Sequence, residues 1–346
     1  MRKKRIAICS VQIPFVKGGA ENLVVALHNE LIKRDFEVTN INIPFKWYPV
    51  SRILTECMIW RLIDISEVDG QKMDMVIATK FPSTVVKHVN KKIWLIHQLR
   101  QAYDLYGSEY SYFDNSDEHN RIRQLIKNID TKTINEAKEI YTISHNVTNR
   151  LKKYNDIDSI PVYPPPNHPE RFYCDQFENY ILYVGRLEKN KRVSVLIESF
   201  KYVKSKMKCF IVGAGSQESN LKNKVIEYGI EDKIELLGYL SDEEVIKLYS
   251  NALAVFYSPI DEDYGFTTLE AFLSKKPIIT TADAGGVLEF VIDEENGFVT
   301  DADPVQIAAK IDRISYDKEK CKELGLNGFE IARKITWDYV IDRLIN

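Results

Sequence analysis

The chain has 346 residues, 45% of them hydrophobic and 28% charged, a composition that excludes a disordered, collagenous or fibrous chain at a length suited to about two domains. No apolar run approaches the roughly 18 residues that span a bilayer, and the opening MRKKR leads into an alternating segment without signal-peptide features, so a cytosolic protein is expected. The formal net charge of -3 conceals an imbalance: residues 1–166 carry 24 Lys and Arg against 19 Asp and Glu, residues 167–346 carry 23 against 31. A basic half suits an anionic partner such as a membrane surface or a phosphorylated acceptor, although chance alone produces such counts. The five cysteines (Cys9, Cys57, Cys174, Cys209, Cys321) show neither redox nor metal-ligand spacing, so no disulfide framework and no metal site are expected.

Strands are expected at 5–11, 37–43, 73–78, 92–96 and 139–143, with helices at 20–34 and 121–137, where apolar residues recur at helical spacing. The polar, tyrosine-rich stretch from Tyr103 to Asp117 reads as a loop. Pro161, Pro164, Pro165, Pro166 and Pro169 cannot continue a helix or a central strand and mark a stiff interdomain connection. Beyond them strands are expected at 180–184, 208–212, 233–236, 253–257 and 277–280. Helices alternate with these at 193–203, 216–228, 241–249 and 267–274, Ser241 and Glu244 having capping-box spacing. Alternation on both sides of the prolines predicts two doubly wound parallel-sheet domains, with ligands beyond the carboxyl ends of the strands in a cleft between them.

Four loops carry candidate chemistry. Lys17-Gly18-Gly19-Ala20-Glu21 precedes the first helix, where glycines and free N–H groups suit an anion; an ordinary strand-to-helix turn has the same residues. Gly185 and Arg186 follow a strand and Lys191 opens the next helix; two cations on one loop would neutralise a diphosphate, or would simply be solvated. Glu262 and Glu270 stand eight positions apart around Gly265, with Glu270 on an apolar helix face where it needs donors such as sugar or ribose hydroxyls, unless it is capped or salt-bridged. Gly285-Gly286, before another helix start, repeats the logic of the first loop.

In this order and spacing, Gly-Gly-Ala-Glu, Gly-Arg-Leu-x3-Lys, Glu-x7-Glu and Gly-Gly-x2-Glu resemble the retaining glycosyltransferases of family 4, over nearly the whole chain. The resemblance implies a GT-B fold, in which a C-terminal helix (here 331–346, holding Trp337 and Tyr339) crosses back to the first domain. It implies an acceptor-binding domain at 1–166 and a nucleotide-sugar-binding domain at 167–330. Gly18 and Gly19 would approach the donor, and Gly185, Arg186 and Lys191 its diphosphate. Glu262 would meet donor-sugar hydroxyls, Glu270 the ribose, Phe266 and Thr267 the phosphates through their N–H groups, and Gly238 and Tyr239 the base. No divalent metal and no cofactor beyond the nucleotide-diphosphate sugar are implied, and no Asp-x-Asp is present. His97, at a strand's carboxyl end, matches a histidine that contacts the donor sugar; Lys80, Arg100, Tyr103 and Asp104 would line the acceptor site.

The expected activity is transfer of a sugar, with retention, from a nucleotide sugar to a glycan or lipid-linked saccharide, in the building of bacterial surface polysaccharide. The enzyme would be cytoplasmic or peripheral on an anionic membrane, and nucleic acid is not an expected partner. Three alternatives remain: a nucleotide-sugar epimerase or hydrolase of the same fold, a nicotinamide-dependent dehydrogenase (disfavoured by the lack of Gly-x-Gly-x-x-Gly after the first strand), and a non-catalytic binding protein.

Overall fold

The computed structural model describes residues 2–14 and 18–346. Lys17, the first residue of the first glycine loop, lies outside the described residues. The chain divides into two units, residues 1–167 with 336–346, and residues 168–335.

The first unit is built on a parallel sheet ordered β2-β1-β5-β6-β7-β8. Its strands are β1 (Arg5–Gln12), β2 (Glu37–Pro44), β5 (Met75–Lys80), β6 (Lys91–His97), β7 (Glu139–Thr142) and β8 (Ile160–Pro161). A small antiparallel hairpin, β3 (Glu67–Val68) with β4 (Gln71–Lys72), precedes β5. The central strands are buried almost throughout, as sheets covered on both faces require. The covering helices are α1 (Gly19–Lys33), α2 (Arg52–Leu62), α3 (Asp117–Ile134) and α4 (His145–Asn155).

The second unit repeats the plan with order β11-β10-β9-β12-β13-β14. Its strands are β9 (Tyr180–Val184), β10 (Lys208–Val212), β11 (Ile234–Gly238), β12 (Ala254–Phe256), β13 (Ile278–Thr281) and β14 (Gly297–Thr300). Its helices are α5 (Val193–Ser199), α6 (Glu218–Tyr228), α7 (Asp242–Asn251), α8 (Phe266–Leu273), α9 (Pro304–Tyr316) and α10 (Lys318–Ala332). The Ser241–Glu244 capping box is formed at the start of α7. The order of strands in each sheet reverses direction at its first strand, the doubly wound arrangement that alternation predicts.

The last helix, α11 (Trp337–Ile345), belongs to the first unit. Trp337 meets Trp94 of β6 at 6.3 Å between ring centroids, and Lys4 Nζ donates to the Ile345 carbonyl at 3.2 Å. Its start corrects the expected 331–346 segment: α10 runs to Ala332, and Thr336 caps α11 by accepting from the Tyr339 N–H. Two further boundaries move. Ser116 caps α3 and draws its start back to Asp117, and α5 stops at Ser199 instead of reaching 203.

Candidate active site

In the second unit the chemistry gathers at the carboxyl ends of β9, β12 and β13. The loop after β9 is bound to the loop after β10: Gly185 N–H donates to the Val212 carbonyl, Leu187 N–H to Ala214, and Gln217 N–H to Leu187. Glu188 completes the joint by accepting from the Ser216 hydroxyl at 2.6 Å. The approach is so close that a Cβ on Gly213 would stand 1.9 Å from the Gly185 carbonyl oxygen, so no side chain fits there.

This anchored loop presents Arg186 and Lys191 differently. Arg186 is exposed, and among the described residues its guanidinium makes no hydrogen bond or ion pair. Lys191 is 7% exposed; its ammonium donates to Glu262 Oε2 at 2.5 Å and to the Tyr257 hydroxyl at 3.2 Å. Burial, then the nearby Glu262 carboxylate, pushes the Tyr257 hydroxyl well above its usual range, so it stays a neutral donor.

Glu262 is positioned by backbone as well as by Lys191. Its N–H donates to the Ala284 carbonyl and its carbonyl accepts from Gly286 N–H at 2.7 Å, pairing 261–263 with the 283–286 loop. A Cβ on Gly285 would lie 2.6 Å from the Glu262 nitrogen, and one on Gly286 would lie 2.7 Å from the Asp263 carbonyl oxygen. This corrects the reading of Gly285-Gly286 as a second anion loop: the glycines make room for the strand-like segment that carries Glu262, and the turn after them is only a 3-10 segment, Gly286–Glu289.

Arg192 was not among the expected residues. It adopts φ +53° and sends its guanidinium to the Ser258 and Pro259 carbonyls, the Thr281 hydroxyl and both oxygens of Asp283. It thereby ties the loop after β12 to the end of β13 and the loop that follows it. Its partners lie 66 to 91 positions away, so no local pattern announces it.

Gly265, φ +92°, is the N-cap of α8, and Thr267 Oγ1 donates to the Val184 carbonyl at 3.3 Å, fixing the helix start at the end of β9. The first N–H groups of a helix have no intrahelical partners and suit an anion. One turn on, the Glu270 carboxyl accepts from the Tyr249 hydroxyl at 2.9 Å. Burial pushes its pKa up to about 7, against the lowering effect of that hydrogen bond. Gly238 ends β11 at φ +70°, and Tyr239 beside it is 85% exposed.

In the first unit the expected residues separate. His97 closes β6 in register with Lys80 of β5, and its Nδ1 lies 2.9 Å from the Gln98 carbonyl. Gly18 is the N-cap of α1, followed by Gly19, and among the described residues a Cβ on Gly18 would meet nothing nearer than 3.4 Å. Lys80 is 5% exposed and pairs with Glu21 at 2.5 Å, which fastens the first turn of α1 to the end of β5.

Arg100 binds Asp104 Oδ2 at 2.6 Å, and Arg150 stands 3.3 Å from the other oxygen. The structure corrects Tyr103: it is 2% exposed and its hydroxyl donates to the buried Asp130 at 2.7 Å, so it braces α3 and does not line a surface site. Asp130 itself is pushed up to about 7 by burial.

Residues 169–330 match the family described as glycosyl transferases group 1. The chain is 30% identical over 201 residues to an uncharacterized glycosyltransferase, MJ1178, of Methanocaldococcus jannaschii, covering 58% of this chain and 56% of that one. It is 29% identical over 165 residues to the capsular polysaccharide biosynthesis glycosyltransferase CapM of Staphylococcus aureus, covering 46% and 43%. The chain thus spans about half the length of these curated relatives. Among solved structures, sucrose-phosphate synthase from Thermosynechococcus elongatus superposes with a TM-score of 0.82 at 18% identity, over 99% of this chain and 97% of that one. That likeness establishes the fold, which is GT-B.

Proposed function

Because its second unit belongs to the group 1 glycosyltransferases, we propose that the chain transfers a sugar from a nucleotide diphosphate sugar to a glycan or lipid-linked saccharide, with retention and without a metal. The observation that carries this reading is the exposed Arg186 guanidinium on the same anchored loop as the Lys191–Glu262 pair. Two cations at one strand end neutralise a leaving diphosphate, the role that a metal plays elsewhere. As Lys191 turns toward phosphate oxygens, the Glu262 carboxylate is released to accept from donor-sugar hydroxyls. Gly185 and the first N–H groups of α8, at Phe266 and Thr267, approach the phosphates. Glu270 accepts from the ribose, and the backbone at Gly238 and Tyr239 meets the base.

In the transfer, the acceptor oxygen bonds to the anomeric carbon on the face that the diphosphate leaves. The carbon–phosphate-oxygen bond breaks, and the departing phosphate oxygen takes the acceptor's proton. The protein's part is positioning and charge stabilisation. His97, with Gly18 and Gly19, belongs to the sugar end of the donor, and Arg100 to the acceptor, held by Asp104; Lys80 acts through Glu21. The match to a capsular polysaccharide enzyme supports a role in bacterial surface polysaccharide, and the positive balance of residues 1–166 supports cytoplasmic work at an anionic membrane.

A thermal-shift screen in EDTA against uridine, guanosine and thymidine diphosphates, with NAD as control, tests the reading. At 100 times its dissociation constant a ligand stabilises the fold by about 2.7 kcal/mol. Stabilisation by one diphosphate, reduced in Arg186→Ala, is expected. A shift with NAD alone would return the chain to the dehydrogenase reading.

A further inference from the structure

The loop that follows β2 was not singled out by the motifs, yet it holds a chain of aromatic contacts at the carboxyl end of the first sheet. Phe45 donates its N–H to the Gln12 carbonyl at 2.9 Å, which fixes the loop's root at the end of β1. The Phe45 ring meets the buried Phe81 ring edge-on at 6.2 Å, and Trp47 at 6.4 Å. Trp47 in turn packs at 81° against Tyr48, 5.4 Å between centroids. Tyr48, at the end of this chain, is 59% exposed, and the Lys46 ammonium stands 4.9 Å from its ring centre.

Such a row is stiff, because each ring is wedged by the one before it back to the core at Phe81. An exposed ring held rigid offers contact area at little entropic cost. The neighbouring ammonium supplies donors that a lipid tail or an aliphatic protein face does not use. A pyranose matches both halves: its C–H face lies on an exposed aromatic ring, and its hydroxyls accept from the Lys46 ammonium, which stands over the Tyr48 ring.

We propose that Trp47, Tyr48 and Lys46 form a saccharide subsite for the acceptor, away from the reacting sugar; this rests on the transferase reading above. The loop leaves β2, three strands from β6, which ends at His97, ~14 Å at about 4.8 Å per step. A subsite on that loop suits an oligosaccharide acceptor and leaves a single sugar ungripped.

The test is isothermal titration calorimetry, which reads the parent and every variant alike, including one that lacks the Trp47 indole. The probes are three pairs: methyl α-glucoside with maltotriose, methyl α-mannoside with α-mannotriose, and N-acetylglucosamine with chitotriose. At least one trisaccharide binds more tightly than its monosaccharide partner, and Tyr48→Ala weakens that trisaccharide by about ten-fold without changing monosaccharide binding. Trp47→Phe, which keeps a ring, retains most of the affinity and guards against a folding defect.

Equal trisaccharide binding by Tyr48→Ala and the parent, or no trisaccharide preference in the parent, overturns the subsite. So does a Tyr48-dependent binding of phosphatidylglycerol–phosphatidylcholine vesicles without saccharide binding, which would make the loop a bilayer contact. Nucleoside diphosphate shifts are read separately: their absence defeats the transferase reading, whereas their survival in Tyr48→Ala alongside unchanged trisaccharide binding defeats the subsite alone.

Discussion

The two units share a sheet plan, six parallel strands wound both ways, and differ in what shapes their carboxyl ends. In the second unit the backbone does the shaping: Gly213, Gly285 and Gly286 each stand where a Cβ would collide with neighbouring main chain. In the first unit the side chains do it, through the Lys80–Glu21 pair, the Arg100–Asp104–Arg150 group and the Phe45–Tyr48 row, while Gly18 has room for a methyl group. On the transferase reading proposed above, the difference follows from what each end would meet. Phosphate groups are bound by N–H groups brought close, as at the loop packed on Gly213, and main chain packed on Gly285 and Gly286 carries Glu262. A saccharide of varying identity would be met by side chains.

Substitution at the glycines tests this contrast most severely. Gly213→Ala and Gly285→Ala should each cost ~3 kcal/mol or more in chemical unfolding and abolish diphosphate binding, while Gly18→Ala should cost no more than about 1 kcal/mol, as at other helix caps. Equal costs would erase the distinction. Lys191 and Lys80, buried at the carboxyl ends of the two sheets, sharpen it next. Lys191→Met should lower sugar-nucleotide turnover by at least about 100-fold, whereas Lys80→Met should lower stability and leave diphosphate affinity near the parent value.

A smaller effect is read against pH. Glu270 and Asp130, one in each unit, are both raised to about 7 by burial. Each holds its proton more tightly folded than unfolded. The stability it confers is therefore complete below its ordinary value, 4.5 for Glu270 and 3.8 for Asp130, and is lost as pH rises through 7. Glu270→Gln and Asp130→Asn should each flatten that decline, by a few kcal/mol at most, but only Glu270→Gln should change the pH dependence of nucleotide affinity. Smallest, Tyr103→Phe leaves Asp130 without its donor and should cost about 1–3 kcal/mol; a changed saccharide affinity instead would restore Tyr103 to the acceptor site.

The parts of the fold legible in the sequence were those with local signals. Buried strands such as Arg5–Gln12 and Tyr180–Val184 read directly from short apolar runs, and the capping box placed α7. α2 was missed because its apolar residues lie on both faces: Ile53, Cys57 and Trp60 are buried while Met58 and Leu62 are exposed, so no helical period stands out. α4 was missed for the opposite reason, having few apolar residues in HNVTNRLKKYN. Beyond 280, β14, α9 and α10 were not read at all. The site divides similarly. Arg186, Lys191, Glu262 and Glu270 stand in spaced motifs, whereas the joint made by Arg192 and the burial of Tyr103 against Asp130 depend on partners far along the chain.

The return of α11 to the first unit has a consequence for biogenesis. Residues 336–346 are synthesised after the whole of residues 168–335, yet they supply Trp337 against Trp94 and the carbonyl that receives Lys4. The second unit is continuous in sequence and can fold once its own residues have emerged, whereas the unit begun first stays unfinished until it is done. A chain released before Thr336 would carry every residue of the second unit and a first unit in which Trp94 lacks the Trp337 ring, a natural point of attachment for chaperones.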